Sequence, residues 1–259
     1  MFKDILYYIY KNRLTREVKK NEVMPTHVGL ILDGNRRYAK QKGLKKLTDG
    51  HRLGADKLDE VLVWCEDLRI PMITIWALST ENLARESNEI GNLLKIIEDK
   101  IEAIAADPQT HRRRMKIRAL GKIDMLPDST RKVLAKAEEA TKDYHDFRLN
   151  IAIGYGGREE IVDALRKLLL SRNPGDETIE KVASEITPEA IGKHLYTVDL
   201  PDPDLIIRTS GETRLSGFLL WQSAYSEFYF CDAYWPAFRQ IDFLRAIRSY
   251  QQRQRRFGL

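Results

Sequence analysis

The stretch HVGLILDGNRRYAKQKG, residues 27–43, begins as an oily strand and continues into a charged segment. Its apolar run is typical of a parallel strand whose two faces are both covered by helices. Asp33 falls where this strand leaves the sheet, and Asn35 is placed to cap a helix whose first turn carries Arg36 and Arg37. A helix start normally favours negative charge, so two arginines there indicate that an anion binds at this point.

The rest of the chain repeats this alternation of strand and helix. It predicts an α/β fold, with one domain built on a mostly parallel central sheet flanked by helices. The predicted strands are 27–33, 72–78, 115–120, 147–154, 204–208 and 225–230. Apolar spacing predicts helices at 35–43, 49–69, 87–106, 128–143, 157–170, 178–195 and 240–255. The segment 171–178 is short enough to be a surface loop.

Residues 1–24 form a separate N-terminal amphipathic helix in this interpretation, followed by the main domain at residues 25–259. Four apolar side chains fall on one side of that helix: Ile5, Leu6, Ile9 and Tyr10. Such a helix either packs on the body of the protein or lies on a membrane surface, and we expect packing.

Composition limits the protein class. The chain has 259 residues, of which 43% are hydrophobic and 31% charged, and it contains no apolar run near the ~20 residues of a membrane span. Charges interrupt the N-terminal segment, which therefore does not read as a signal peptide, and we expect a cytoplasmic protein. Cys65 and Cys231 lack metal-ligand spacing and are expected to be buried free thiols.

The net charge of +5 permits an anionic partner. Two basic clusters, HRRRMK at 111–116 and RQRRFG at 253–258, suggest nucleic acid at first sight. Aromatic residues are not interleaved with either cluster as they are on base-stacking surfaces. We therefore expect no nucleic-acid binding, and we interpret the first cluster as a solvated loop that leads into a strand.

Ligands of open α/β sheets bind beyond the carboxyl ends of the strands. The segments at those ends are DGNRR, STENLAR, YGGRE and RTSGETRLSG, and Glu227 is expected near the end of the last strand. Neither GxxxxGK[ST] nor GxGxxG occurs, no catalytic triad can be singled out, and His27 is expected to be structural. Arginines with one or two carboxylates suit a diphosphate held with Mg²⁺, and the apolar segments around them allow an oily cavity behind a charged mouth.

At these motifs the chain resembles the cis-prenyltransferase family, the relatives of undecaprenyl diphosphate synthase. The likeness lies in HVGLILDGNRR, STENLAR, YGGREEIVDA, PDLIIRTSGETRLSGFLLWQSAYSEFYF and RRFG, which cover nearly the whole chain from about residue 25. The resemblance implies a fold with a hydrophobic tunnel and a Mg²⁺-dependent 1′–4 condensation of isopentenyl diphosphate with an allylic diphosphate, giving a new Z double bond. It also implies a homodimer, and it allows peripheral membrane contact for product release.

The resemblance also assigns roles to residues. It makes Asp33 a catalytic residue and Mg²⁺ ligand, with Glu227 as the second metal carboxylate. The allylic diphosphate site comprises Gly34, Asn35, Arg36, Arg37 and Arg85. The isopentenyl diphosphate site comprises Arg208, Arg214, Ser216, Arg256 and Gly258, of which the last two belong to a C-terminal motif that reaches into the partner subunit. Asn82 is a second catalytic residue, and the remaining substrate contacts are Tyr38, His51, Ser79 and Leu83. The proton acceptor is either the diphosphate or Asn82 with Asp33.

Some positions depart from the family pattern. Tyr38 stands where Trp is common, lysines of KKLTDGH replace an arginine, and Leu83 stands where long-chain bacterial synthases usually have Trp. We therefore expect a product shorter than the eleven-unit bacterial carrier, stopped by a tunnel wall that includes Leu93, Leu94 and Ile97. A short-chain or relaxed-acceptor enzyme is the alternative. A non-catalytic partner subunit is less favoured, because the aspartate motif is present.

Overall fold

The computed structural model describes residues 2–83, 87–171 and 178–253, with side chains from residue 5 onward except those of 87 and 88. These residues form a six-stranded sheet with helices on both faces. The strands are β1 (His27–Ile31), β2 (Met72–Ser79), β3 (Met115–Leu120), β4 (Phe147–Tyr155), β5 (Leu205–Arg208) and β6 (Glu227–Phe230).

The first helices in the chain are α1 (Phe2–Lys20), α2 (Asn35–Gln41), α3 (Leu47–Asp67), α4 (Thr80–Leu83), α5 (Ser87–Ala106) and α6 (Pro108–Arg112). They are followed by α7 (Asp128–Thr141), α8 (Gly157–Leu170), α9 (Ile179–Ser184), α10 (Pro188–Gly192) and α11 (Gln240–Gln252).

The strand order is β3-β4-β2-β1-β5-β6, and each neighbouring pair is parallel. This confirms the predicted α/β class, and every predicted strand is present with ends shifted by at most two residues. Parallel strands align their carboxyl ends at one edge of the sheet. The segments that follow β1, β2 and β5 therefore meet there, and they build the site described below.

The predicted helix at 178–195 is wrong, because two short helices occupy this region. The first helix ends at Ser184. Thr187 is extended and caps the second, because its hydroxyl accepts a hydrogen bond from the Ala190 N–H at 3.2 Å. Pro188 takes the first position of α10, where its missing N–H has no intrahelical partner to lose. A similar start at Pro108 produces α6, which the sequence interpretation assigned to a loop.

Two apolar layers cover the sheet. Val28 and Leu30 point into the larger core with α3, α5 and α11, whereas Ile31 points into a smaller cluster with Phe218 on the opposite face. Successive strand residues alternate between faces, which explains this division. Gly29 leaves room for the Phe218 ring, because a Cβ at that position would lie 3.0 Å from the Phe218 Cε1.

Helix α1 packs on α11. Of the face noted in the sequence, Tyr10 takes part, with the Arg245 guanidinium 5.4 Å from its ring. Leu14 and Val18 are buried, and the Gln251 amide donates to the Val18 carbonyl at 3.0 Å. Ile5, Leu6 and Ile9 remain about half exposed. Among the residues that the structure describes, no helix is both long and apolar enough to cross a membrane.

His27 and the two cysteines are structural, as expected. Thr74 and the Pro201 carbonyl lie 2.7 and 2.8 Å from the two ring nitrogens of His27, and burial lowers the pKa of this histidine. Cys65 and Cys231 are buried free thiols.

Candidate active site

Asp33 lies two residues beyond the end of β1, held by its backbone and by cations. The Thr209 hydroxyl and the Trp235 N–H donate to the Asp33 carbonyl at 2.7 and 3.0 Å. Its carboxylate accepts from Arg208 at 2.8 Å and lies 3.2 Å from Arg37. Burial opposes ionisation of Asp33, but hydrogen bonds from Arg208 and Ser210 and the two guanidinium charges outweigh it and lower its pKa.

Arg208 is the last residue of β5, and it is buried, with 5% of its surface exposed. Its guanidinium donates to Asp33, to the Ser216 hydroxyl at 2.7 Å and to the Arg214 carbonyl. The Nε atom is buried and has no hydrogen-bond partner among the described residues. A buried cation with an unused donor beside a cavity is well suited to an anionic ligand.

Glu212 connects two arginines across the rim. It accepts from Arg37 at 3.0 Å, and its other oxygen pairs with Arg214. Arg37 also donates to the Ser210 hydroxyl at 2.7 Å and lies over the ring of Tyr234. These contacts hold the guanidinium groups at the rim before any substrate arrives.

The start of α2 approaches α3 closely. Gly34 has a positive φ of 102°, and a Cβ there would lie 2.6 Å from the Tyr234 ring, so glycine is needed on both grounds. A Cβ on Gly54 of α3 would lie 2.1 Å from the Asn35 Oδ1 atom. Asn35 is not the helix cap that the sequence suggested, because Gly34 takes that position and the Asn35 amide donates to the Leu32 carbonyl at 2.8 Å. The cap supplies no side-chain acceptor to the first turn of α2.

A cavity of about 710 Å³ opens from this rim into the core. Its polar mouth is lined by Asp33, Gly34, Asn35, Arg36, Arg37, His51, Ser79, Asn82, Arg208, Arg214 and Ser216. Its depth is lined by apolar side chains that include Leu58, Ile75, Leu93, Ile97, Ile101 and Ile104. The lining residues of α5 extend over three helical turns, roughly 16 Å. The arrangement suits a ligand with an anionic head and a long apolar tail.

Three residues that were predicted to contact the substrate or to form the tunnel wall do not line the cavity. Tyr38 does not line the cavity, and the Lys42 ammonium lies 5.8 Å from its ring. Leu83, at the end of α4, packs against the core beside Gly154. Leu94 is buried in the core, whereas Leu93 and Ile97 do line the cavity. The helical phase of α5 separates Leu93 from Leu94, since adjacent residues point about 100° apart.

Glu227 is not brought to Asp33 within one chain. It is the first residue of β6 and pairs in register with Leu205, three residues before Arg208. This places it roughly 10 Å before the carboxyl edge along the strand direction. Its carboxylate is 2.5 Å from Arg253. The expectation that Glu227 lies near the end of its strand is therefore wrong, because the strand begins at this residue.

Three further predicted contacts, Arg85, Arg256 and Gly258, lie outside the described residues. The sequence interpretation overlooked Thr209, Ser210 and Glu212, which hold Asp33 and Arg37. All three lie in the RTSGETR segment, where only the arginines were assigned roles. A carboxylate placed between two arginines in a loop after a strand was the available signal.

The donor set limits how a metal could be held. Among the described residues, no cluster of three or more His, Cys, Asp or Glu side chains is arranged around a metal position. Asp33 supplies one ionised carboxylate at the mouth. Mg²⁺ commonly binds through one or two carboxylates together with substrate phosphates and water. The residues present therefore fit a Mg²⁺ ion that arrives with a diphosphate.

Comparison with known proteins agrees with this geometry. Residues 31–258 match the family model described as "Putative undecaprenyl diphosphate synthase". An isoprenyl transferase of Deinococcus radiodurans is 54% identical over 98% of this chain and 92% of its own length. Two relatives at 50% identity, each covering 98% of this chain, have different products in their names. They are a tritrans,polycis-undecaprenyl-diphosphate synthase of Methanopyrus kandleri, covered over 91% of its length, and a (2Z,6E)-farnesyl diphosphate synthase of Thermobifida fusca, covered over 97%.

Among solved structures, lavandulyl diphosphate synthase from Lavandula x intermedia, in complex with dimethylallyl diphosphate, has a similar fold. The TM-score is 0.83 at 34% identity, over 92% of this chain and all of that one.

Proposed function

This chain belongs to the undecaprenyl diphosphate synthase family of cis-prenyltransferases, and we propose that it joins isopentenyl diphosphate to an allylic diphosphate at the Asp33 rim. The observation that carries this proposal is the continuity of the site. A mouth lined with arginines opens directly into a long apolar cavity. This arrangement offers one place for a diphosphate and another for the prenyl chain attached to it.

The contacts of Asp33 suggest how two substrates meet. Arg37 and the start of α2 suit the allylic diphosphate, while Arg208, Arg214 and Ser216 suit the diphosphate of isopentenyl diphosphate. Asp33 contacts both Arg37 and Arg208, so the two sites share this carboxylate. Most of the rate enhancement then comes from positioning the two substrates and from cations that stabilise the departing diphosphate.

The Mg²⁺ dependence is part of the proposal, with Asp33 as the protein ligand. When bound, the ion would neutralise charge on the departing diphosphate. The lowered pKa of Asp33 keeps this carboxylate ionised for that role. Arg37 contacts one oxygen of this carboxylate and Arg208 the other, and the two contacts orient it at the mouth.

We further propose a homodimer in which the C-terminal Arg256 reaches the isopentenyl diphosphate site of the partner subunit. Glu227 supports this only indirectly, because it would need a second chain to approach a metal at Asp33. The test mixes inactive Arg256→Ala and Asp33→Ala proteins and re-forms dimers. A heterodimer should contain one intact site and regain activity, whereas a C-terminus that acts within its own chain would leave both sites defective.

Peripheral membrane contact is proposed through the outer side of α1. Ile5, Leu6 and Ile9 are about half exposed there, and the helix contains six basic and two acidic residues. Apolar side chains flanked by basic ones bind anionic bilayers. Co-sedimentation with phosphatidylglycerol vesicles should exceed that with phosphatidylcholine vesicles and fall in Ile9→Glu, but not in Leu170→Glu, which changes an exposed leucine on α8. Equal sedimentation of wild type and Ile9→Glu with phosphatidylglycerol vesicles would contradict the proposal.

The reaction itself is tested by incubating the purified protein with isopentenyl diphosphate and allylic primers of different length, with Mg²⁺ or with EDTA. Mass spectrometry of the products should show prenyl diphosphates that grow by five-carbon units only when the metal is present. Absence of any elongated product with every primer would contradict the proposed function. The same experiment decides between a short product and the eleven-unit chain, since relatives of both kinds are equally similar to this protein.

A further inference from the structure

An ion pair interrupts the apolar face that the described residues of α5 present to the cavity. Lys100 lies on α5 between Ile97 and Ile101, and all three line the cavity. The Lys100 ammonium lies 2.5 Å from the carboxylate of Asp59 on α3. The pair therefore bridges the two helices whose side chains form this part of the wall.

The burial of the two partners shows where the pair lies. The Lys100 side chain is 13% exposed, whereas the Asp59 side chain is 59% exposed. The lysine stem thus runs along the cavity, and its charged end reaches a carboxylate in solvent. The pair thus connects the cavity lining to solvent between α3 and α5.

This part of the wall is the easiest to open. An ion pair with one strongly exposed partner is screened by water and contributes little to stability, and a lysine stem has many rotamers. Ile97 and Ile101 are β-branched side chains restricted at χ1, so they have few alternative positions. A prenyl chain that gains burial with every added unit will displace the lysine before it displaces the isoleucines.

We propose that Lys100 and Asp59 form a side gate between α3 and α5, through which the tail of the growing prenyl chain leaves the cavity. The closed pair limits product length, and its opening admits further units. The inference rests on the proposed function, because it requires a growing prenyl chain. It makes Lys100 and Asp59 specificity-determining residues outside the diphosphate site.

The test measures the ratio of longer products to the main wild-type product in the primer assay described above. Lys100→Ala removes the stem, and Asp59→Ala leaves the stem but removes its tether. Both should raise the ratio at least threefold. Lys95→Ala is the matched control, because Lys95 lies on the same helix, pairs with Asp99 at 2.9 Å and is 65% exposed outside the cavity. This variant should leave the ratio unchanged.

The outcomes separate this inference from the proposed function. If wild type makes no prenyl product, the proposed function fails. If wild type makes products and both gate variants give the wild-type ratio, the gate is overturned while the function stands. Lengthening by Lys100→Ala alone would also overturn the gate, because the lysine would then be an ordinary wall residue that needs no partner. A ratio is insensitive to the fraction of folded enzyme, so loss of stability cannot produce the expected result.

Discussion

Asp33 and Glu160 are two carboxylates with several partners each, one at the carboxyl edge of the sheet and one on a helix that covers it. Asp33 lies at the cavity mouth, and its partners include two cations, Arg37 and Arg208. Glu160 on α8 is 1% exposed and accepts hydrogen bonds from Tyr155 at 2.5 Å and Gln222 at 3.1 Å. The pKa of Asp33 is lowered, whereas burial raises the pKa of Glu160 despite its hydrogen bonds.

The difference lies in the partners rather than in the carboxylate. Cations beside a cavity keep Asp33 ionised and leave it close to incoming ligands. The donors to Glu160 are neutral groups, and they tie α8 to β4, to the backbone N–H of Tyr196 and to the segment after β5. The YGGRE motif, residues 155–159, was placed by the sequence with the ligand-binding segments, but it does not line the described cavity. It serves the fold through Tyr155, whose hydroxyl donates to Glu160.

The sharpest way to break this comparison is Asp33→Ala. Turnover should fall by several orders of magnitude, because the carboxylate contacts both proposed diphosphate sites. The fold should persist, since Arg208 keeps the Ser216 hydroxyl and the Arg214 carbonyl as acceptors. Steady-state kinetics with circular dichroism as the folding control checks this. Turnover within threefold of wild type would remove Asp33 from the mechanism.

The arginines around Asp33 should separate the two substrates. Arg208→Ala should chiefly raise the apparent KM for isopentenyl diphosphate, and Arg37→Ala should act on the allylic substrate or on kcat. Each loss should be on the order of 2–4 kcal/mol, as for a charged contact shielded from water. Initial rates with each substrate varied in turn provide the measurement. Identical effects on both substrates would contradict two separate sites.

Glu160→Ala should affect stability rather than chemistry. It removes the acceptor of the Tyr155 hydroxyl, of the Tyr196 N–H and of one N–H of Gln222. The Gln222 amide still donates to Thr197, and the free energy of unfolding should fall by about 3 kcal/mol. Urea unfolding measures this, with Glu139→Ala as the control, because Glu139 forms an exposed pair with Lys142 that water screens and that contributes little to stability. If Glu160→Ala kept full stability but lost activity, Glu160 would serve the reaction rather than the fold, and the assigned role would be wrong.

The two carboxylates should also give opposite pH dependences of stability. The contribution of Asp33 is present above its unfolded pKa of about 4 and is lost as pH falls through its lower folded pKa. The folded state binds the Glu160 proton more tightly, so wild type loses stability as pH rises above about 4 towards the raised folded pKa. The loss in free energy of unfolding relative to wild type should therefore be smallest at acidic pH for Asp33→Asn. For Glu160→Gln this loss should be largest at acidic pH. Denaturant unfolding across this range checks both signs, and parallel trends would show that the assigned environments are wrong.

The smallest expected effect concerns the apolar wall of the cavity that α5 forms. Leu93→Ala and Ile97→Ala should shift products longer by a few-fold in ratio, because both side chains line the cavity. Leu94→Ala should leave the ratio unchanged and cost about 2–5 kcal/mol of stability, because Leu94 packs in the core. Product mass spectra and thermal unfolding together test this. Lengthening by Leu94→Ala would show that the wall lies elsewhere.

Much of the site was predictable, because the carboxyl ends of parallel strands meet at one edge whatever the order of the strands in the sheet. Parallel strands bring their carboxyl ends to one edge, so Asp33, Ser79 and Arg208 must lie at that edge once β1, β2 and β5 are recognised. The strands could be recognised from short apolar runs between charged or turn-forming segments. The likeness to a known family then gave these residues their chemistry.

Register and helical phase were decided only by the tertiary structure. Glu227 lies on the strand beside the one that carries Arg208, but the pairing of β6 with β5 opposite Leu205 places it away from the cavity edge. Leu93 and Leu94 have the same character and adjacent numbers, and only the packing of α5 decides which of them lines the cavity. The sequence by itself determined which segments are strands and which charged groups end them, because hydrophobic period and turn chemistry are local. Which face a side chain presents depends on the partner element, and this is settled only when the elements pack.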